Sequence, residues 1–494
     1  MGRFRLALAA AGLVALAASL TAVANVALTT ISTDPYKNVT SQHATEVEPD
    51  TLSFGSTIVA ATQVGRFGTG GASNIGWGRS TNGGTAWTHG FLPGMTVYST
   101  PVGPYARASD PAVAYDAKHN VWLINSLGLT GGQNNLLGAG AVVNRSTDGG
   151  ATWGNAITVH AASGGQDLDK NWIVCDNTAA SAFYGRCYVE YDDAGAGNAL
   201  HMDFSTDGGL TWTASAVPPA SVIGGQPLVQ PNGNVVMPID SGNEGSVESF
   251  VSVDGGVTYT GPYPVAGIAS HTVAGSLRSG PLPSAEVDGA GKVYVVWQDC
   301  RFRAGCAAND IVMSTSSDGI TWSPVVRVPI GTVTDTQDHF IPGIAVDRST
   351  SGATAHLALT YYFYPQRSCT RFSCQLDVGF VASQSAGTAW SAPTQLAGPM
   401  SLNWLPNTNQ GRMVGDYTST SYANGLAHGF FAVATLPTGN LSRDCVTATP
   451  NCHQALTTNT TGLSAAVAEA RSSGDGVVVS PGSVPSSPRP VTAR

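Results

Sequence analysis

The sequence predicts an all-β fold. Three observations carry that expectation: a short turn motif that returns along the chain, brief strand-like runs between its copies, and no helical periodicity of competing length between Asp50 and Leu436. The motif has the form Ser-x-Asp-Gly-Gly-x-Thr-Trp. It runs from Ser80 to Trp87 with Asn82 in the Asp place, from Ser146 to Trp153, from Ser205 to Trp212 and from Ser252 to Tyr259. A shortened copy runs from Ser316 to Trp322 and a worn one from Ser383 to Trp390. Asp-Gly tolerates the positive φ of a tight turn, the Ser and Asp side chains can bond nearby amides, and the aromatic ring packs into the sheet. Each copy therefore joins two antiparallel strands.

Three further strand-like runs precede each copy. Around the second they are Pro111 to Tyr115, Val121 to Asn125 and Ala141 to Asn144, with Trp153 opening a fourth; around the fifth they are Pro283 to Val287, Val293 to Trp297, Ile311 to Ser314 and a run from Trp322. Four short antiparallel strands per unit of roughly 40 to 70 residues is the pattern of a propeller blade. The expected fold class is thus an all-β β-propeller of four-stranded antiparallel blades. Seven blades are expected, the last completed by a terminal segment, with six as the alternative; Met413 to Tyr422 and Leu426 to Ala434 supply two strands of that last unit.

Composition agrees. With 494 residues, 42% hydrophobic and 8% aromatic, the chain can bury a large core. Charged residues make up only 11%, against about 25% in ordinary domains. That shortage argues against coiled coils and helical bundles, and a formal charge of −9 argues against nucleic-acid partners. Arg3 and Arg5, the apolar run Leu6 to Leu20 and Ala22-Val23-Ala24 read as a signal peptide over 1–24, whose loss takes the charge to −11. No later run is long enough to span a membrane. The remaining division is an N-terminal extension (25–44), the propeller (45–458) and a disordered low-complexity tail (459–494).

The eight cysteines fall in close neighbours: Cys175 and Cys187, Cys300 and Cys306, Cys369 and Cys374, Cys445 and Cys452. Without a C-x2-C pair, this pattern points to disulfides in an oxidising compartment rather than to zinc. No metal or cofactor is expected. Asp167-x-Asp169 and Asp192-Asp193 are too short for an EF-hand loop, and no phosphate loop or G-x-S-x-G elbow is present.

The repeated turns resemble the Asp-box, or BNR, repeats of the sialidase superfamily of β-propellers, from about Thr45 to Thr435. Fold alone does not dictate reaction. In such a blade the segment entering the first strand and the loop after the second open on one face, opposite the box turns. There this charge-poor chain places Glu46, Glu48, Arg107, Asp110, Asp169, Lys170, Asp338, His339, Arg412, Asp416 and Tyr417, then Arg66, Asp192, Asp193, Asp240, Glu244, Arg301, Arg303 and Arg367. The resemblance implies a Tyr nucleophile assisted by Glu, an Asp acid/base and an arginine clamp on a substrate carboxylate. By position these are Tyr417, Glu244 and Asp110, with Arg66, Arg301 and Arg412 as the clamp and Arg107 and Arg303 in reserve. The chain departs from the family in lacking a Phe/Tyr-Arg-Ile-Pro motif; Gly65-Arg66-Phe67 stands nearest to it.

The expected function is a secreted, sialidase-like glycoside hydrolase, monomeric, acting on terminal acidic sugars of extracellular glycans. A noncatalytic glycan- or protein-binding propeller and a polysaccharide hydrolase or lyase are the alternatives.

Overall fold

The computed structural model describes residues 26–132, 134–437, 445, 452–465 and 471–472. The expected signal peptide and the part of the expected tail beyond 472 lie outside them.

After β1 (Leu28–Thr30), strands β2 (Glu46–Phe54), β3 (Thr57–Arg66), β4 (Ala72–Ser80) and β5 (Thr88–Phe91) form one antiparallel run. A second comprises β6 (Arg107–Asp116), β7 (Val121–Thr130), β8 (Leu137–Ser146) and β9 (Ile157–Ala161), joined to the first only at Ala72 and Ala108. A third holds β10 (Leu168–Cys175), β11 (Cys187–Asp193), β12 (Ala199–Ser205) and β13 (Thr213–Ala214). In the next, β14 (Val222–Ile223) and β15 (Leu228–Val229) share one edge of β16 (Val235–Ser241), ahead of β17 (Ser246–Ser252) and β18 (Thr260–Gly267). Then come β19 (Ser284–Val287), β20 (Val293–Asp299), β21 (Asp310–Ser316) and β22 (Val326–Arg327). They are followed by β23 (Asp338–Val346), β24 (Leu357–Tyr364), β25 (Gln375–Ser383), the short β26 (Ala389–Trp390) and the edge strand β27 (Thr394–Ser401). A two-stranded ladder of β28 (Asn407–Thr408) and β29 (Gly411–Arg412) precedes the last sheet, formed by β30 (Ser419–Ala423), β31 (Leu426–Ala434) and β32 (Gln454–Asn459) with β1 outermost; β33 (Arg471–Ser472) pairs with β26. Among the described residues, helix is confined to three-residue 3₁₀ turns.

The recurrent motif makes the turns between third and fourth strands for a visible reason. Ser146 Oγ donates to Asp148 Oδ1 (2.8 Å) and accepts from Gly150 N (2.9 Å), while Asp148 accepts from Thr152 N (2.9 Å) and Thr152 Oγ1 (2.6 Å). The same bonds recur at Ser205, Asp207 and Thr211 and at Ser252, Asp254 and Thr258. Gly149 and Gly150 take φ of 75° and 86°, which a Cβ disfavours. The motif also ties sheets together: Arg79, Arg145 and Arg186 each donate at 2.6 Å to a glycine carbonyl of the following turn, Gly149, Gly208 and Gly255.

Apolar clusters fill the spaces between successive sheets, as alternating strands require. One joins Leu123, Leu127 and Val143 to Ile173 and Val189, another Val236 and Val247 to Val287, Val295 and Trp297. The innermost strands touch in succession: β2 on β6, β6 on β10, β10 on β15, β15 on β19, β19 on β23, β23 on β30 and β30 on β2. Val113 N donates to Asp50 Oδ2 (2.7 Å), Ala285 N to Gln226 Oε1 (2.8 Å), Ile344 N to Ser284 Oγ (3.1 Å) and Thr51 N to Ser419 Oγ (3.1 Å). One cavity is bordered by all of these strands or their leads, through Asp50, Val113, Trp172, Leu228, Ser284, Ile344 and Ser419.

The cysteines pair as neighbours: Cys175–Cys187, Cys300–Cys306, Cys369–Cys374 and Cys445–Cys452. No helix among the described residues is long and apolar enough to cross a membrane. β1 falls within the expected extension, 25–44, and completes the last sheet, with Leu28 opposite Asn459 and Thr30 opposite Thr457.

Candidate active site

Four innermost strands carry the same defect; in β23, between Phe340 and Gly343, it turns out the apolar Ile341 (φ 50°), and in the other three a charged residue. The pairing of β2 slips between Val47 and Asp50, that of β6 between Ser109 and Ala112, and that of β10 between Asp169 and Trp172. The residue released at each slip is left-handed: Glu48 (φ 55°), Asp110 (φ 48°) and Lys170 (φ 45°). An L-residue held there costs about 1–2 kcal/mol. A bulge re-aims the side chain it displaces, and here it gathers three charges at one end of the inner cavity.

Lys170 Nζ donates to Asp416 Oδ2 at 2.5 Å and to Asp110 Oδ2 at 3.3 Å. Arg278 grips the same Asp416 in a fork, Nε to Oδ1 at 2.6 Å and Nη2 to Oδ2. Gln63 Nε2 donates to Glu48 Oε2 and, at 3.1 Å, to Ser109 Oγ, which in turn donates to Asp110 Oδ1. Arg66 closes the group, with Nη1 on Gly71 O (2.8 Å) and Gln63 Oε1 (3.4 Å) and Nε against Met413 Sδ (3.2 Å).

Burial, then the charges of Asp110 and Asp416, push the Glu48 carboxyl up to about 8. Asp416 is equally buried, yet Arg278 and Lys170 outweigh that and hold it well below the carboxylate range. Lys170 is likewise held above its ordinary value, against burial, by Asp110 and Asp416. The site thus presents a protonated carboxyl beside an ionised one at neutral pH, a pairing that suits acid and base roles. Along one side, burial and then the Arg278 charge lower Arg66, while burial and then the Arg66 charge lower Arg107 to about 10. Arg107 donates to Thr69 Oγ1 (3.0 Å) and Gly70 O (2.7 Å) and stacks on Phe67. Three guanidiniums close enough to repel one another form a row suited to a bound anion.

The expected residues divide. Asp110, Arg66 and Arg107 lie in or beside this group. Tyr417 is present, but its hydroxyl donates to Pro111 O (3.0 Å), its ring stands edge-on to Trp172, and burial together with Glu48 and Asp110 raises it well above the phenol range, the opposite of an activated nucleophile. Arg412 donates to Leu405 O (2.8 Å), and its carbonyl accepts from Arg278 N (2.7 Å), so its backbone positions Arg278. Arg301 is engaged with Asp299 (2.9 and 2.6 Å), and Arg303 with Asp310 (2.9 and 2.7 Å) and Asp335 (2.8 Å). The Glu244 carboxylate faces Gly280, two residues beyond Arg278. Arg278 and Gln63 escaped the sequence reading, and Glu48, Lys170 and Asp416 figured there only by position. A recess beside Lys170, bordered by Asp110, Trp172, Gly224, Gly225, Leu282, Pro283 and Tyr417, gives the group a wall.

Neither a protein-family model nor a curated protein matches the sequence. Among solved structures, a protein of unknown function from Dyadobacter fermentans DSM 18053 aligns with 19% identity and TM-score 0.46 over 74% of this chain and 99% of its own. The Hadza microbial sialidase Hz136 aligns with 18% identity and TM-score 0.44, over 64% of this chain and 63% of that one. The intramolecular trans-sialidase from Ruminococcus gnavus, in complex with oseltamivir carboxylate, aligns with 14% identity and TM-score 0.45, over 65% and 90%.

Proposed function

We propose that the chain is an exported seven-bladed β-propeller whose cavity mouth hydrolyses glycosides bearing an acidic terminal sugar. The succession of first strands, in which β30 touches β2, supports the propeller; Ala22-Val23-Ala24 and four disulfides support export. One observation carries the reaction: protonated Glu48 and ionised Asp416 share a neighbourhood with Asp110 and Lys170, beside the guanidiniums of Arg66, Arg107 and Arg278. Glu48 and Asp110 take the proton-transfer roles, the guanidiniums of Arg66 and Arg107 hold the sugar carboxylate, and Tyr417 serves as a wall.

The test is release of fluorophore from an α-sialoside, a β-glucuronide and neutral glycosides, with Glu48→Gln and Asp110→Asn alongside. Turnover confined to the acidic substrates and lost by at least 100-fold in both variants, with folding retained, is expected. A noncatalytic binding propeller is the second reading, favoured by Asp416 already occupying both Lys170 and Arg278. Saturable glycan binding without turnover on any substrate would decide for it.

A further inference from the structure

The candidate machinery is shut in. Glu48, Arg66, Asp110, Lys170 and Asp416 are between 1% and 8% exposed. A sugar ring cannot reach them unless something moves, and one segment lies across them. Residues 268–283 connect β18 to β19, the edge strand of one sheet to the first strand of the next, and hold no regular structure beyond a 3₁₀ turn at Ala274–Ser276. A connection of that length without elements of its own is uncommon and usually functional.

Its course is a detour. Ala269 N donates to Asp299 Oδ2 (3.1 Å), and the His271 backbone is held in both directions by the Asn309 side chain, N to Oδ1 (2.7 Å) and Nδ2 to O (2.8 Å). Tyr364 Oη then donates to Ala274 O (3.1 Å), and Val273 and Leu277 bury themselves among Phe340, Cys374 and Leu402. Beyond them Leu277 bridges to Arg412, and Arg278 lands on Asp416 before the chain returns through Leu282 and Pro283, which border the recess. Gly275 (φ 75°) and Ser276 (φ 60°) are both left-handed, a bend that a non-glycine residue resists.

We propose that residues 268–283 form a hinged strap that covers the mouth by seating Arg278 on Asp416, and that Asn309 and Tyr364 are positioning residues that latch it. Opening lifts Arg278, Leu282 and Pro283 together, freeing one oxygen face of Asp416 and widening the recess at a stroke. Neither latch residue touches the ion cluster; both act through the strap backbone. The effect on substrate rests on the hydrolase reading, whereas the motion does not.

Hydrogen exchange read by mass spectrometry on the intact protein, wild type against Tyr364→Phe and Asn309→Ala, tests the motion. In the wild type the amides of 268–283 exchange faster than those of β20 and β24. Tyr364→Phe, which removes a single hydrogen bond, speeds the strap about five-fold and leaves the strands unchanged. Strap amides exchanging in one event with the strands, or a Tyr364→Phe strap no faster than wild type, overturns the proposal. Asn309 is fully buried, so if Asn309→Ala fails to fold, the Tyr364→Phe comparison decides alone. On a hydrolysed acidic glycoside, Tyr364→Phe lowers KM several-fold, because a loosened strap leaves more of the protein open to the sugar, with kcat changed less than two-fold; an unchanged or raised KM sinks the positioning role. If no glycoside is turned over, the hydrolase reading fails while the exchange data still judge the strap.

Discussion

Replacing Lys170 by Met removes one charge while keeping most of the side-chain volume, and its cost can be worked from the contacts. At an effective dielectric of about 20, separations of 2.5 Å to Asp416 and 3.3 Å to Asp110 correspond to about 7 and 5 kcal/mol of attraction before desolvation is subtracted. Asp416 retains Arg278 when Lys170 is lost, whereas Asp110 is left buried with the Ser109 hydroxyl as its side-chain donor. Breaking a buried pair by deleting one partner costs about 3–5 kcal/mol. Urea unfolding followed by tryptophan fluorescence, with ten tryptophans as reporters, is expected to show a loss of at least about 3 kcal/mol at pH 7. Lys170→Met with Asp110→Asn, which removes the stranded charge, is expected to recover most of that loss. A single variant within about 1 kcal/mol of wild type, or a double variant no better than the single, would refute the electrostatic account of the cluster.

Other outcomes follow from the same geometry. The Glu48 carboxyl stands at about 8 against an ordinary 4.5, so the native state binds this proton more tightly than the unfolded chain, and its stabilisation, complete below about 4.5, is lost as pH climbs towards 8. Glu48→Gln should therefore match wild type near pH 4.5 and gain on it by up to about 1.4 kcal/mol per pH unit above that, measured by pH-dependent denaturation; parallel curves would contradict the raised value. Arg301→Ala, whose guanidinium is spent on Asp299, should leave KM for an acidic glycoside within two-fold, whereas Arg66→Ala raises it at least ten-fold; equal effects would dissolve the distinction between rim and row. Asp207→Ala strips the bonds to Thr211 within a turn far from the mouth and should lower stability by about 1 kcal/mol with kcat untouched, a split that thermal unfolding and kinetics read directly. Replacing Cys175 and Cys187 by Ala opens a loop with a sequence separation of 12 and should cost about 3 kcal/mol in the same denaturation assay.

Some of this was legible from residues alone. The turn motif encodes its own hydrogen bonds, so the four-stranded units could be read from Ser146, Asp148 and Thr152 without coordinates. Asp110 and Arg66 were reachable because strand order places them at one end. Glu48 and Lys170 had no distinguishing mark, since a left-handed bulge at a non-glycine residue leaves no local signature. Arg278 lay beyond reach for another reason: it sits in irregular chain, and only long-range packing on Phe340 and Leu402 brings it to Asp416, 138 positions away. Arg301 and Arg303 could have been demoted, because Asp299 and Asp310 stand close by in sequence as ready local partners.

The outermost position of the last sheet belongs to Leu28–Thr30, bound to a strand lying 431 residues downstream where Thr29 meets Thr460. Such a clasp cannot shut before Gln454–Asn459 has been made. The exposed edge of β32 has no lasting partner until Leu28–Thr30 reaches it, so the last sheet is completed only when both segments are present together. Trimming a dozen residues from the beginning of the folded region should then harm it as much as excising a strand from its middle.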